Sequence, residues 1–302
     1  MKKLLTLLIF LLASSAWAGD VEDAQAAFFK KDYATAIQKY KAAGIKGDAF
    51  AQVMVGAMYN EGLGIKKDSA EEVKWYKLAA AQGNALAQYN LGLMYDDGQG
   101  VVQDYAEAVK WYKLAAAQGD ASAQLNLGNR YKKGQGVVQD YAEAVRLYKL
   151  AAAQGDALTQ YNLALMYDKG QGVVQDYAEA VRLYKLAAAQ GDGSAQFRLA
   201  LMYEDGKGVV QDYAEAVKWY KLAAAQGEAS AQLNLGVMYG NGQGVVQDYV
   251  RNHMWMNLAA INGNTMAVKN RDIIAAKMTQ QQIAEAQKLA RECQARKFKN
   301  CD

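Results

Sequence analysis

The sequence has no proline, only one histidine and only two cysteines. Without proline, no loop has a φ angle fixed by a ring, so any loop stiffness has to come from other contacts. No apolar run approaches the roughly 20 residues that a transmembrane helix needs, so no membrane span is predicted. Neither cysteine, Cys293 nor Cys301, lies near the N-terminus, which argues against a lipid-anchored form.

Common catalytic motifs are also missing. No serine begins a Ser-x-x-Lys string, and no Ser-Asp-Asn, Lys-Thr-Gly, P-loop, dinucleotide-binding or metal-ligand motif occurs. The single histidine, His253, stands at a position that is valine in other copies of an internal repeat, which favours a packing role over a catalytic one. We therefore expect no catalytic residue, no metal and no cofactor.

The first residues, MKKLLTLLIFLLASSAWAGD, have the features of a secretory signal peptide. Two lysines precede an apolar run over 4–13, which is too short to cross a bilayer, and the segment closes on Ala-Trp-Ala, a small-x-small cleavage pattern. We predict a signal peptide over 1–18, cleavage between Ala18 and Gly19, and an exported protein that is periplasmic or secreted. A retained membrane anchor is the alternative.

The charge balance argues against a nucleic-acid partner. Removal of the predicted signal peptide takes away Lys2 and Lys3 and leaves 32 basic against 31 acidic residues. Such a near-neutral balance lacks the basic excess of nucleic-acid-binding proteins. One basic cluster, RECQARKFKN at 291–300, is interpreted as a solvated helix end.

Internal repetition dominates the rest of the chain. The decapeptide GVVQDYAEAV occurs at 100–109 and recurs at 136–145, 172–181 and 208–217. At a period of 36 residues, six units that end at Met266 begin at Ala51, Ala87, Ala123, Thr159, Ala195 and Ala231. Self-similarity at such a period is typical of a solenoid of stacked helix pairs.

Each unit predicts two antiparallel helices joined by a short loop. Apolar residues recur at i, i+4 and i+8 from Ala87, and at i, i+3, i+4 and i+7 from Ala108, so each segment has one apolar helical face. Gly98 suits the left-handed turn that ends the first helix. Asp104 is placed as the N-cap of the second helix, with Glu107 three residues later as in a capping box. The decapeptide is therefore interpreted as structural.

The string AQYNLGLMYDDGQGVVQDYAEAVKWYKLAAAQGD resembles the Sel1-like repeat, a relative of the tetratricopeptide repeat. The resemblance covers 51–266, and it departs at the loop, where Val-Val stands in place of the Val-Pro of many members. It implies an all-α fold, a right-handed α/α superhelical solenoid of helix-turn-helix repeats. Members of this family mostly act as adaptors that assemble protein complexes, so the resemblance implies a non-catalytic scaffold.

Both ends are interpreted as caps of the repeat array. Residues 19–50 contain DYATAIQKYKAAGIKGD, which predicts the second helix of a truncated unit, an N-terminal capping half-repeat. Residues 267–302 form a C-terminal capping helix and tail, with Thr279 and Gln282 as a capping box.

In an oxidising compartment Cys293 and Cys301 are expected to form a disulfide. One continuous helix would hold them about 12 Å apart, beyond disulfide reach. Pairing therefore requires the helix to end near Arg296 and the tail to fold back. Free thiols or a metal site are the alternatives, although the tail offers few metal ligands.

Partner binding is expected where the copies differ. The third, fourth, seventh, tenth and eleventh positions of each first helix point away from its apolar stripe, and the likeness to tetratricopeptide superhelices implies that this face lines a concave groove. The predicted partner-binding residues are Tyr89, Asn90, Asn126, Asn129, Arg130, Lys132, Lys133, Tyr161, Asn162, Phe197, Arg198 and Asn234.

Two features of this face leave alternatives open. The aromatic third positions contact a ligand or pack between units. The asparagines of the fourth position offer a donor and an acceptor, so they hold an extended peptide or tie adjacent helices. Asn129 with Asn162 resembles the pair that grips a C-terminal carboxylate in tetratricopeptide domains, but Leu125 replaces the accompanying lysine. Charge also alternates along the array, with a basic third unit.

The sequence thus predicts an exported, monomeric scaffold that binds a protein or peptide partner in its groove. Two alternatives come from other classes. One is an envelope hydrolase or penicillin-recognising, β-lactamase-like protein, and the other is a cell-wall glycan binder, which the tyrosines of the groove would allow.

Overall fold

The computed structural model describes residues 18–299 and 301, which form two compact units divided after Gln154. Every regular element within those residues is an α-helix. The predicted signal peptide lies outside the described residues except for Ala18, so cleavage and export stay predictions. Within the described part of the chain, no helix has the length and apolarity needed to cross a membrane.

A first helix and a second helix alternate along the repeats, as the sequence predicts. The first helices are α3 (Ala49–Glu61), α5 (Ala85–Asp97), α7 (Ala121–Lys133), α9 (Ala157–Lys169), α11 (Gly193–Asp205) and α13 (Ala229–Asn241). The second helices are α4 (Ser69–Ala81), α6 (Tyr105–Ala117), α8 (Tyr141–Ala152), α10 (Tyr177–Ala189), α12 (Tyr213–Ala224) and α14 (Tyr249–Ile261). The flanking helices are α1 (Ala18–Phe29), α2 (Tyr33–Ile45), α15 (Thr265–Ala275) and α16 (Gln280–Ala295).

Each unit is built by packing a helix on its neighbour in the chain. In the first unit this holds from α1 to α8, and in the second from α9 to α15, whereas α16 turns back to pack on α14. The core of each of the first five repeats contains a buried tyrosine of the second helix, which is Tyr112 in the second repeat, whereas Met256 takes this position in the sixth. A β-carbon on Gly92 would lie 2.4 Å from Cε1 of Tyr112, so the small residue of α5 makes room for the ring. The predicted all-α fold of helix pairs is confirmed.

The loop of the decapeptide works as a turn and a cap. Gly98 ends α5 with φ 69°, and Gly100 has φ 71° with a hypothetical β-carbon only 2.2 Å from the Ser69 carbonyl oxygen, so glycine is required at both positions. The Asp104 carboxylate accepts the backbone N–H groups of Ala106 and Glu107, at 2.9 and 3.0 Å. The predicted N-cap is confirmed.

The predicted capping box at the same place is wrong. The backbone N–H of Asp104 already donates to the Tyr95 carbonyl oxygen, at 2.8 Å, so it is not available to a glutamate side chain. The Glu107 carboxylate pairs instead with Lys110 one turn further along the helix. A complete capping box does form at α16, where the Thr279 N–H donates to Gln282 and the Gln282 N–H donates to the Thr279 hydroxyl.

The C-terminal tail reverses after α16. The helix ends at Ala295, and Lys297 and Phe298 have the positive φ angles of a chain reversal. Cys293 and Cys301 are bonded to each other, with 5.0 Å between their Cα atoms. This is the backbone path that pairing of the two cysteines requires.

Candidate partner-binding face

The candidate site is the first-helix face. It consists of the side chains at the third, fourth, seventh, tenth and eleventh positions of each repeat, counted from the repeat starts Ala51, Ala87, Ala123, Thr159, Ala195 and Ala231. In α5, Ala87 and Gln88 are buried, Tyr89, Asn90 and Leu93 are half-buried, and Asp97 is exposed. The predicted division into a packed and an accessible side fails at the tenth position, where Asp96 is buried, and in α3, where Val53, Met54 and Ala57 are buried.

A row of second-helix tyrosines lies beneath this face. In the first unit, the Tyr112 hydroxyl donates to the Asp96 carboxylate at 3.2 Å, and the Tyr148 hydroxyl donates to Oδ1 of Asn129 at 2.7 Å. Burial raises the pKa of Tyr112 and Tyr148 well above the usual range, so both hydroxyls stay protonated donors. Asn129 is therefore engaged within the fold.

The fourth-position asparagines of the first unit bond to tyrosine hydroxyls. Asn90 bonds to the Tyr76 hydroxyl, which lowers the Tyr76 pKa against the larger rise caused by burial. Asn126 does the same for Tyr89, together with Ser122. At the first repeat the fourth position is a methionine, and the buried Tyr40 hydroxyl has no partner. These contacts favour the interpretation that the asparagines tie adjacent repeats together.

Arg130 joins two repeats instead of presenting a free charge. Its Nη1 lies 3.1 Å from the Asp96 carboxylate, with side chains only 13 % and 10 % exposed, and donates to Gln135 at 2.6 Å. Its guanidinium also lies 5.1 Å from the centre of the Tyr105 ring. Burial raises the pKa of Asp96, and the Arg130 charge offsets part of that rise. A partner of the first unit therefore meets other charges first.

The exposed charges of this face in the first unit include Glu61 on α3, Asp97 on α5 and Lys133 on α7. Lys132 is half-buried. The Tyr89 ring is tilted against the Tyr112 ring of the same repeat, with 6.1 Å between centroids. The unit thus offers a half-buried aromatic ring beside an acidic and a basic residue from successive repeats.

The second unit repeats the arrangement with other residues. Tyr161 packs on Tyr184 and Phe197 on Tyr220, with ring centroids 5.9 and 6.0 Å apart. Both rings contact the second helix of their own repeat and remain half-buried.

The polar members of the second unit differ in how far they are engaged. Asn234 donates to the Tyr220 hydroxyl at 2.9 Å, and the charge of Arg198 lowers the pKa of Tyr184 against the rise from burial. Asn162 is half-buried, and Lys169 is exposed on α9. Asn234 thus has the same tying role as Asn90, while Lys169 remains accessible.

Sequence reasoning missed a buried row of glutamines that links the repeats. In α5 the Gln88 amide donates to the Ala80 carbonyl oxygen at 3.2 Å and accepts from Gln118 at 2.8 Å, and Gln118 also donates to the Gly83 carbonyl oxygen at 2.9 Å. The same bonds recur at Gln124 with Gln154 and at Gln196 with Gln226. The sequence pattern could have indicated this row, because the glutamine is the second residue of all six repeats.

His253 is a buried residue of α14. Burial lowers its pKa, and the nearby Arg271 charge lowers it further, so the imidazole is neutral. Within 18–299 and 301, no group of three histidine, cysteine or acidic side chains is placed to hold a metal ion.

Comparisons with solved structures return several proteins that are described as Sel1 or SLR repeat proteins. A Sel1 repeat protein from Oxalobacter formigenes is 34 % identical, with a TM-score of 0.69, over 80 % of this chain and 96 % of that chain. The protective antigen c5321 of uropathogenic Escherichia coli strains, which has an SLR fold, is 29 % identical over 88 % of this chain and 81 % of that chain, with a TM-score of 0.47. A putative Sel1 repeat protein from Klebsiella pneumoniae is 26 % identical over 67 % and 99 %, with a TM-score of 0.42.

Among curated protein sequences, none matches the chain significantly. The family profile described as Sel1 repeat matches six consecutive segments, 49–84, 85–120, 121–156, 157–192, 193–228 and 229–264. Proteins built from Sel1 repeats are commonly protein-interaction scaffolds. With six matched repeats and a solved Sel1 repeat structure above 30 % identity, this chain belongs to the Sel1 repeat family.

Proposed function

We propose that the chain is an exported, monomeric scaffold that binds a protein or peptide partner on its first-helix face and has no catalysis of its own. One observation carries the proposal: exposed residues of this face change between repeats that are otherwise nearly the same. Asp97 in one repeat becomes Lys133 in the next, while the loop and cap beside them are unchanged. A constant frame that displays variable residues is suited to recognition.

Recognition on this face needs little rearrangement. The hydroxyls of Tyr112, Tyr148 and Tyr220 and the side chains of Asn129 and Asn234 are already bonded within the fold, which fixes the rings and helices around them. A preformed surface lowers the entropic cost of binding. We propose that Tyr89 and Leu93 supply apolar contact and that Asp97 and Lys133 select the partner by charge.

The two ends are proposed to act as caps over 19–50 and 267–302. In α15, Arg271 and Asp272 stand where earlier first helices carry a buried leucine and a glycine or alanine, as in Leu235 and Gly236 of α13. Charged side chains at these positions oppose the burial that a further second helix would impose. The array is therefore expected to stop at this helix.

The experiment exchanges charges on one face at a time. The double variant Asp97→Lys with Lys133→Glu keeps the net charge and changes only exposed positions of the first-helix face. Its matched control, Glu107→Lys with Lys110→Glu, exchanges an ion pair of α6, whose residues are not part of the first-helix face. We expect the first variant to lose the proteins that wild type captures in a cross-linking pull-down, and the control to retain them. An unchanged capture set from the first variant would reject the proposal.

A further inference from the structure

A cleft of the first unit lies where a leucine replaces the tryptophan that most second helices carry. The position is tryptophan at Trp75, Trp111, Trp219 and Trp255, but α8 carries Leu147 and α10 carries Leu183. Between α6 and α8, in front of Leu147, lies a cleft of about 580 Å³, within the range of ligand pockets.

The chain itself shows what fills this place in other repeats. A β-carbon on Gly44 would lie 2.9 Å from Cζ3 of Trp75 and 3.3 Å from Cγ of Gln52, so the indole ring lies against these two residues. Two repeats further on, the residues at the same positions are Ala116 and Gln124, and both line the cleft. The open space is therefore the space that an indole ring occupies beside Gly44.

Burial of the surrounding residues supports this correspondence. Ala80, which has Trp111 packed against its cluster, is 3 % exposed, and Ala224, in the cluster of Trp255, is fully buried. Ala116, at the equivalent position beside Leu147, remains partly exposed. The smaller leucine side chain therefore leaves Ala116 more exposed than the tryptophans leave Ala80 and Ala224.

The rim of the cleft fits an uncharged, largely apolar group. Glu143 and Arg146 pair with each other at 2.7 Å, so their charges are largely balanced within the rim. Leu150 adds an apolar edge that is 44 % exposed. The Glu143 carboxylate also provides an acceptor near the mouth, which suits an indole N–H that would otherwise be buried without a partner.

We propose that the cleft between α6 and α8 binds a tryptophan side chain of a protein partner. The partner's indole takes the place that the chain's own indole takes in neighbouring repeats, packing on Ala116, Leu127 and Leu147. The second helices line this site together with Gln124 and Leu127 of α7. Neither residue belongs to the first-helix face, so the site does not depend on that face.

The test uses the purified full chain and a fluorinated N-acetyltryptophanamide as the probe, followed by fluorine NMR line broadening. We expect saturable binding to wild type, with no competition from N-acetylleucinamide at equal concentration. Leu147→Trp fills the cleft with the residue that other repeats accommodate, and we expect it to weaken binding by about tenfold or more, a readily measured difference. Trp111→Leu opens the equivalent cleft between α4 and α6, and we expect it to add a second site.

Three results would overturn the proposal. They are no saturable binding to wild type, unchanged affinity in a folded Leu147→Trp variant, and binding of free fluoroindole without binding of the amide. The last result would assign the cleft to a small molecule. Circular dichroism checks that each variant is folded, and the Leu147→Trp comparison decides alone should Trp111→Leu fail to fold.

Discussion

Single residues that depart from the repeat pattern show which side chains the stacked helix pairs can accommodate. Glu72 of α4 stands where the next four second helices carry a buried alanine, and it is only 2 % exposed, with Oε2 lacking a hydrogen bond. Burial and the nearby Glu61 charge raise the pKa of Glu72 to about 7, and Lys67 offsets a small part of the rise. A buried acid without a partner costs stability whenever it is ionised.

Glu72 should make stability depend on pH. Because its pKa is raised from 4.5 to about 7 on folding, its contribution is fully present below pH 4.5 and is lost as pH rises through 7. Glu72→Ala should therefore be more stable than wild type at about pH 8, by about 2–3 kcal/mol, and should lose most of that advantage at about pH 5. Urea unfolding at both pH values measures the difference, and parallel pH profiles of the two proteins would contradict the expectation.

The Asp104 cap is expected to stabilise α6 without taking part in recognition. Asp104→Ala removes the acceptor of two backbone N–H groups and should lower the free energy of unfolding by about 1 kcal/mol. Urea denaturation measures this, with Gln99→Ala in the same loop as the control. Loss of partner capture in a folded Asp104→Ala protein would make the decapeptide a candidate binding site.

How well single residues could be predicted depended on how local their contacts are. The cap at Asp104 and the turn at Gly98 follow from neighbours in sequence, so the pattern was sufficient. The roles of Asn129 and Arg130 depend on Tyr148 and Asp96, whose side chains reach them through packing of helices. Spacing indicates which face a residue lies on, but it does not show whether that residue is already bonded.

At the scale of the helix, the glutamine row explains how one repeat is joined to the next. Gln88 is 4 % exposed, and its side chain bonds the end of α4 and the end of α6 at once. The pitch between successive pairs is thus fixed by hydrogen bonds as well as by apolar packing. Periodicity predicted the helices and their order, whereas these bonds between elements required the structure.

Loss of one such glutamine should weaken the junction of two repeats. Gln88→Leu removes two hydrogen bonds, the one to the Ala80 carbonyl oxygen and the one from the Gln118 amide, which should cost about 1–3 kcal/mol. Gln99→Leu, at an exposed loop position, is the matched control and should change stability by less than about 0.5 kcal/mol. Equal effects of the two substitutions in urea unfolding would show that the buried glutamines do not join the repeats.

For the molecule as a whole, uniform and variable surfaces are separate. The second valine of each decapeptide loop, as in Val102 and Val138, is almost fully exposed in every copy, so the loops present the same surface each time. The residues of the first-helix face differ from repeat to repeat. The first unit also has the cleft in front of Leu147, between α6 and α8. We infer that partner choice depends on the variable surfaces.

The most direct test places a photo-crosslinking amino acid at one face and then the other. Lys133 lies on the first-helix face, whereas Lys74 lies on the second helix α4. Both side chains are exposed. With the protein expressed in its native cell, we expect irradiation to link a defined set of proteins at position 133 and none of that set at position 74. The same proteins linked at both positions, or linked at position 74 alone, would contradict recognition by the first-helix face.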